Sequence, residues 1–156
     1  MQREYLGTKV YMASHPKMRS LFRSDARPTD FGDKVWNSTL TLMRYLDGRT
    51  FGRVIDIGCG WGILGIHLAR NSGTRVTCVD ADPKLQKVVE LHSKLNDVRV
   101  SFKTANFDAL PVNCEIVMFP PKEAEIMELF CRCLPYATPA NRACFRLIIS
   151  DVMRRR

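Results

Sequence analysis

Residues 54–65 read Val-Ile-Asp-Ile-Gly-Cys-Gly-Trp-Gly-Ile-Leu-Gly, and this stretch decides the fold. An apolar strand over 53–57 runs into a glycine-rich turn, and an amphipathic helix over 63–70 follows. Glycine permits positive φ and lets a ligand approach the backbone closely. A strand, a glycine-rich turn and a helix in this order predict a binding crevice at the carboxyl end of the strand.

The surrounding sequence continues the alternation of strand and helix. The predicted strands cover 53–57, 75–79, 98–102, 114–119 and 143–149, and the predicted helices cover 35–46, 63–70, 83–95 and 122–134. This pattern predicts an α/β fold, a Rossmann-like parallel sheet of about five strands with helices on both faces. All 156 residues are predicted to form one domain.

The first 34 residues are different in character, because they are basic, irregular and punctuated by proline and glycine. They show no strand pattern. We expect residues 1–34 to form an N-terminal arm or cap with at most one short helix.

An acid, Asp80, follows the second predicted strand. A carboxylate at this strand end can accept two hydrogen bonds from ribose hydroxyls. The spacing of Gly60, Gly65 and Asp80 also matches a dinucleotide fingerprint. However, Asp56 precedes the glycines by two residues, where it would repel a pyrophosphate but suit the ammonium and sulfonium of S-adenosylmethionine (SAM). The residues favour a SAM site over a dinucleotide site, and a purely structural turn is the third alternative.

Two stretches, 54–65 and 79–83 (Val-Asp-Ala-Asp-Pro), resemble the first and second motifs of class I SAM-dependent methyltransferases. Within that class, residues 35–38 (Val-Trp-Asn-Ser) are similar to the small-domain enzymes that modify ribosomal RNA guanines and to the protein-lysine methyltransferase-like group. The similarity covers residues 33–122. It implies SAM as the cofactor and a sheet of seven strands. Only five strands are counted in this sequence, so we expect a sheet that is shortened at the C-terminal end relative to the family.

The resemblance also implies which residues bind the cofactor. Asp56 and Gly58 would hold the methionine end of SAM, and the two later glycines would admit the ligand to the backbone. Asp80 would bind the ribose hydroxyls, and Ala81 would lie against the adenine. The full set of implied cofactor-binding residues is Asp56, Gly58, Cys59, Gly60, Gly62, Asp80, Ala81, Asn106, Phe107 and Phe119.

Two positions in that set depart from the family pattern. Asn106 stands where the family has an acid that meets the adenine amino group, and Asp108 is an alternative. Phe119 begins the sequence Phe-Pro-Pro-Lys, whereas enzymes acting on exocyclic amino groups carry Asn or Asp before the two prolines. Phenylalanine cannot accept a hydrogen bond from an amine. No catalytic residue is therefore predicted.

The predicted function is transfer of a methyl group from SAM to an RNA or protein acceptor. The alternative is a catalytically inactive SAM-binding protein with a binding or assembly role. The net charge of +8, from 24 basic and 16 acidic residues, fits an anionic partner such as RNA as well as a plain solubilising surface.

The sequence shows no sign of a metal site or of a membrane span, and we expect a cytoplasmic protein. The six cysteines lack the spacing of a zinc site, so no metal is predicted. No apolar run approaches the roughly 18 residues that span a bilayer, so we expect a soluble protein without a membrane partner.

Other side chains carry weaker expectations. Trp36 is expected either to pack on the core or to stack on a substrate base. His67 and His92 are expected at the surface or its boundary, without partners. The fifth predicted strand, 143–149, would leave an apolar sheet edge, which predicts either a homodimer through this edge or its coverage by the N-terminal arm.

Overall fold

The computed structural model describes residues 1–23, 28, 34–105 and 115–118. Ten helices and strands lie within these residues. In chain order they are β1 (Gln2–Tyr5), β2 (Thr8–Tyr11), α1 (Pro16–Arg23), α2 (Asn37–Leu46), β3 (Arg53–Ile57), α3 (Ile63–Ser72), β4 (Arg75–Asp80), α4 (Leu85–Leu95), β5 (Ser101–Thr104) and β6 (Glu115–Met118).

A parallel sheet of four strands, in the order β5-β4-β3-β6, forms the centre of the described structure. β3 lies between two neighbours, with Ile55 opposite Thr77 of β4 and opposite Ile116 of β6. All but its first residue are buried, as is typical of a parallel strand covered on both faces. Right-handed crossovers through α3 and α4 place these two helices on the same face. The Rossmann-like α/β prediction is confirmed.

The predicted element boundaries hold best near the glycine-rich turn. The strand 53–57 matches β3, and 75–79 becomes β4 with the addition of Asp80. The third predicted strand, 98–102, begins three residues before the observed one, since β5 covers Ser101–Thr104. The predicted helix 122–134, which would cover the opposite face, and the predicted strand 143–149 lie outside the described residues. The homodimer through that strand therefore stays a prediction.

The helix after β4 begins later than predicted, at Leu85 rather than at Pro83. The side chain of Asp82 accepts a hydrogen bond from the Lys84 amide at 2.9 Å, and its carbonyl accepts one from the Leu85 amide at 3.2 Å. Asp82 therefore organises a turn ahead of the helix, and the helix forms after it.

The expectation that the N-terminal arm lacks strands is wrong. β1 and β2 form an antiparallel hairpin in which Tyr5 faces Thr8. The two turn residues, Leu6 and Gly7, both have positive φ, at 48° and 77°. This is the backbone of a tight hairpin turn, normally marked by Asn-Gly or Asp-Gly. Leucine seldom adopts positive φ, so Leu6-Gly7 is not recognisable from residue type as a hairpin turn.

Two buried histidines attach this hairpin to the helices, so the expectation that they lie at the surface without partners is also wrong. His67 on α3 receives a hydrogen bond at Nδ1 from the Thr8 hydroxyl at 3.1 Å, and its Nε2 lies 3.3 Å from the Asp47 carboxylate. His92 on α4 accepts the Tyr11 amide at Nε2 and donates from Nδ1 to the Val88 carbonyl, at 3.1 and 2.9 Å. Burial lowers the pKa of both histidines. Each ring is therefore held neutral between a helix and the hairpin.

Replacing His92 by glutamine tests this attachment. The unfolded chain protonates His92 near the ordinary pKa of 6.5, whereas burial lowers the pKa in the folded protein. His92 therefore contributes stability that is complete above pH 6.5 and is lost as the pH falls below it. At neutral pH, the free energy of unfolding of His92→Gln should be about 1–3 kcal/mol lower than that of the wild type, because a buried hydrogen-bond partner is disturbed.

Urea titrations at several pH values give the free energy of unfolding of both proteins. Between about pH 7.5 and pH 5.5 the wild-type value should fall more steeply than that of His92→Gln. Other titrating groups are common to both chains and cancel in the difference. Parallel pH dependences would contradict the assignment of a neutral, buried His92.

Candidate functional site

The glycine-rich turn, residues 58–62, joins the carboxyl end of β3 to the first turn of α3. The Cys59 amide donates to the Val79 carbonyl of β4 at 3.1 Å. The Gly62 amide donates to the Cys59 carbonyl at 2.8 Å, which closes the turn, and the Ile66 amide donates to the Gly62 carbonyl at 2.9 Å, which starts the helix. The turn, which follows β3 in the chain, is thereby bonded to β4 and to α3.

Gly60 and Gly62 have different tasks in this turn, although both have positive φ, at 52° and 70°. A Cβ on Gly62 would lie 2.9 Å from a methyl group of Val89 on α4, so this glycine permits close packing. A Cβ on Gly60 would meet nothing within 4 Å. The open side of the turn is therefore at Gly60, and this is where a ligand can reach the backbone.

Asp56 is a buried carboxyl beneath the turn, at 1% exposure. Its Oδ2 accepts a hydrogen bond from the Gly65 amide of α3 at 3.0 Å. The pKa of Asp56 is raised to about 7, chiefly by burial and to a smaller extent by the charge of Asp80, against the lowering effect of the Gly65 hydrogen bond. An acid in this state is ready to ionise when a cation binds beside it.

Asp80 ends β4 and is partly exposed at the same edge of the sheet. Its Oδ2 accepts a hydrogen bond from the Gly60 amide at 3.0 Å, and its Oδ1 accepts one from the Asp82 amide at 3.2 Å. Each carboxylate oxygen has a second lone pair, so both can accept further hydrogen bonds from a ligand. Asp80 therefore fixes the open side of the turn and remains available for binding.

The structure brings together most of the residues that the sequence nominates. Those found at the carboxyl edge of β3 and β4 are Asp56, Gly58, Cys59, Gly60, Gly62, Asp80 and Ala81. The Ala105 amide donates to the Asp80 carbonyl at 3.0 Å, so the chain just before Asn106 lies at this edge as well. Asn106, Phe107 and Phe119 themselves lie outside the described residues.

Cys59 contributes a neutral thiol to the turn. Burial, with the hydrogen bond to Cys78, raises its pKa well above the ordinary value. A thiol in this state packs as a small apolar group and is a poor nucleophile. Across the described residues, no group of three or more His, Cys, Asp or Glu side chains is arranged to hold a metal ion.

Sequence reasoning missed the importance of Trp61. This side chain belongs to the turn itself, yet it is only 2% exposed. Its neighbours are Phe22 of α1 and His92 of α4, both distant in sequence. Because the contacts join three separate segments, no local pattern could have revealed them.

Residues 30–126 match the family model described as the methyltransferase small domain. The chain belongs to this family. The family membership, the Rossmann-like fold and SAM as the family's cofactor are all as the sequence predicts. Within the described part of the chain, no helix is long and apolar enough to cross a membrane.

Curated relatives match part of the chain. A ubiquinone biosynthesis O-methyltransferase of Xanthomonas oryzae pv. oryzae is 33% identical over 96 residues, which are 62% of this chain and 38% of that protein. The corresponding protein of Xanthomonas campestris pv. campestris is 41% identical over 58 residues, or 37% of this chain and 24% of the relative. The chain thus spans well under half the length of these relatives.

Solved structures share the fold at low sequence identity. The Pyrococcus abyssi tRNA (uracil-54, C5)-methyltransferase, solved with S-adenosyl-L-homocysteine, has a TM-score of 0.57 at 17% identity over 84% of this chain and 31% of that one. The C-terminal domain of precorrin-6Y C5,15-methyltransferase from Rhodobacter capsulatus has a TM-score of 0.53 at 14% identity, over 66% of this chain and 57% of that one.

The buried acid gives a test of cation binding at this site. Below about pH 7 the Asp56 carboxyl is largely protonated in the unbound protein. If the ammonium of SAM binds beside it, the pKa falls and up to one proton is released. Calorimetry with SAM near pH 6.5, in buffers of different ionisation enthalpy, should report net proton release by the wild type and none by Asp56→Asn. Proton uptake, or no change, in the wild type would contradict this role of Asp56.

Proposed function

We propose that this chain binds SAM at the carboxyl edge of β3 and β4 and transfers its methyl group to an RNA or protein acceptor. One observation carries the proposal. The glycine-rich turn is open at Gly60, whose amide meets the partly exposed Asp80, and the buried acid Asp56 lies beneath the turn against Gly65. Two acids in these positions match a ligand with a cationic end and a ribose.

The donor set fits SAM better than a dinucleotide. A pyrophosphate would be repelled by the two carboxyl groups, whereas the methionyl ammonium and the sulfonium would be attracted. Asp56 and Gly58 would hold the methionine end, and Asp80 would accept hydrogen bonds from the ribose hydroxyls. Ala81 is exposed next to Asp80, where an adenine could lie against it.

The rest of the proposed site is carried over from the family resemblance. Asn106 and Phe107 would border the adenine, and Phe119 would border the methyl donor from the end of β6. The placement of Ala105 beside Asp80 supports the first two assignments, because Asn106 and Phe107 follow Ala105 directly in sequence.

Methyl transfer asks the protein mainly for positioning. SAM, when bound, supplies a methyl group that is already activated on a sulfonium. The chain's residues then have to hold donor and acceptor in line and exclude water, which can supply much of the acceleration. Hydrogen bonds from the Gly60 amide to Asp80 and from the Gly65 amide to Asp56 fix this edge before a ligand arrives.

The proposed acceptor follows from the charge of the chain and from the family resemblance. The net charge of +8 supports an anionic acceptor such as RNA. The similar proteins differ in what their names say they act in: one belongs to ubiquinone biosynthesis and another methylates a tRNA. The tRNA enzyme shares only the fold with this chain. A second candidate is an inactive SAM-binding protein, which Phe119 favours because it replaces a hydrogen-bond acceptor.

Asp80→Ala tests the cofactor site. The variant should bind SAM about 1.5–3 kcal/mol more weakly, roughly ten- to 150-fold, because charge-assisted hydrogen bonds to the ribose are lost. Glu90→Ala is the matched control, since it removes the same charge from an exposed position on α4. Calorimetry gives both dissociation constants, and equal values for the two variants would show that another group holds the ribose.

Labelled SAM tests the acceptor. The full chain is incubated with methyl-labelled SAM and a cell extract that is afterwards separated into RNA, protein and small-molecule fractions. Label in RNA or protein that disappears with Asp80→Ala is the expected result. Label confined to small molecules would overturn the acceptor class, and SAM binding without any transfer would favour the inactive alternative.

A further inference from the structure

We propose that residues 1–23, the part of the N-terminal arm that forms β1, β2 and α1, contribute to the function of the cofactor site. This part of the arm holds Trp61, and with it the glycine-rich turn, in the conformation that binds SAM, so that arm docking and SAM binding strengthen each other. This inference rests on the proposed placement of SAM at Gly60. The contact of Phe22 and His92 with Trp61 transmits the docking of the arm to the glycine-rich turn.

The Trp61 ring is held on two sides. The His92 ring stacks on it at a centroid distance of 5.5 Å and an interplanar angle of 19°. The Phe22 ring lies 6.4 Å away at 55°. With 2% of its surface exposed, the indole is enclosed by α4 and by the arm. Aromatic pairs at these distances are attractive beyond their burial, which favours one fixed position of the ring.

Both contacts lead back to the arm. Phe22 belongs to α1, whose inward face also carries the fully buried Met18. His92 is oriented by the Tyr11 amide of β2, which donates to its Nε2. The Tyr11 ring lies a further 6.1 Å from the His92 ring. The arm therefore touches Trp61 directly through Phe22 and indirectly through Tyr11 and His92.

Trp61 in turn determines where the Gly60 amide points. The residue sits between Gly60 and Gly62, and glycine costs more conformational entropy to order than any other residue. Backbone hydrogen bonds of Cys59 and Gly62 hold the two ends of the turn, and the enclosed indole of Trp61 anchors the segment between them. If the indole moves, the Gly60 amide leaves the Asp80 carboxylate, which it now meets at 3.0 Å. The open side of the turn and the ribose-binding acid would then lose their alignment.

Such a coupling is reciprocal by thermodynamic necessity. If the docked arm tightens SAM binding, bound SAM must stabilise the docked arm to the same extent. Phe22 and His92 contact the Trp61 ring, so in this proposal they act as positioning residues through Trp61. This reciprocity gives a signature that a purely structural arm would not show.

The first measurement is SAM affinity. Phe22→Ala should weaken SAM binding about five- to thirty-fold, a usual size for coupling between sites. Phe22→Tyr keeps the ring and should bind as the wild type does. Leu46→Ala is the control for general destabilisation, because Leu46 is a buried residue at the end of α2, next to Asp47, which contacts the second half of α3. It should lower stability and leave SAM affinity nearly unchanged.

The second measurement follows the arm itself. Hydrogen exchange of the Tyr11 amide should slow when SAM binds to the wild type, and it should slow less in Phe22→Ala, which removes only the direct contact of the arm with Trp61. Trp36→Phe leaves Trp61 as the single tryptophan, since the chain has two. In that background the fluorescence of Trp61 should change on SAM binding, and this change should be lost when Phe22→Ala is added.

The outcomes separate the two proposals. If the wild-type chain does not bind SAM, the proposed function fails. If it binds SAM but Phe22→Ala retains full affinity and Tyr11 exchange ignores the ligand, the coupling is wrong while the function stands. Should Phe22→Ala fail to fold, the wild-type Tyr11 exchange decides alone, because an unchanged rate with saturating SAM contradicts the reciprocity.

Discussion

The hydrogen bond from the Gly65 amide to the Asp56 carboxyl is the constraint on which the site depends. It joins the end of β3 to the first turn of α3 at 3.0 Å. It forms only because residue 65 has no Cβ, which would lie 2.8 Å from a methyl group of Val76. The close approach buries Asp56 and raises its pKa to about 7. One packing requirement thus sets both the shape of the crevice and the charge that the crevice can offer.

The N-terminal arm extends this arrangement instead of merely covering it. Neutral histidines on α3 and α4 receive hydrogen bonds from Thr8 and Tyr11, and the stacked ring of His92 and the tilted ring of Phe22 enclose Trp61. A SAM-binding core therefore reaches its stable form with help from a segment that precedes it in sequence. Together the arm, the helices and the turn behave as one packed unit with its open side at Gly60.

The centre of the fold could be predicted from sequence because its signals are local. The apolar run 53–57, the glycines and Asp80 each follow from residue type and spacing, and the structure places them at one edge. The arm could not be predicted, since its turn places Leu6 at a φ of 48°. The histidine contacts span 59 and 81 residues of sequence, so no periodicity could reveal them. What local chemistry specifies was predictable, and what long-range packing specifies was not.

Asp56, Asp80 and the open turn at Gly60 should select SAM over a dinucleotide. The decisive experiment is a calorimetric titration of the wild-type chain with SAM and, separately, with NADH. SAM should bind saturably at a single site, and NADH should not bind. Binding of NADH, with no binding of SAM at millimolar concentration, would show that this is not a SAM site.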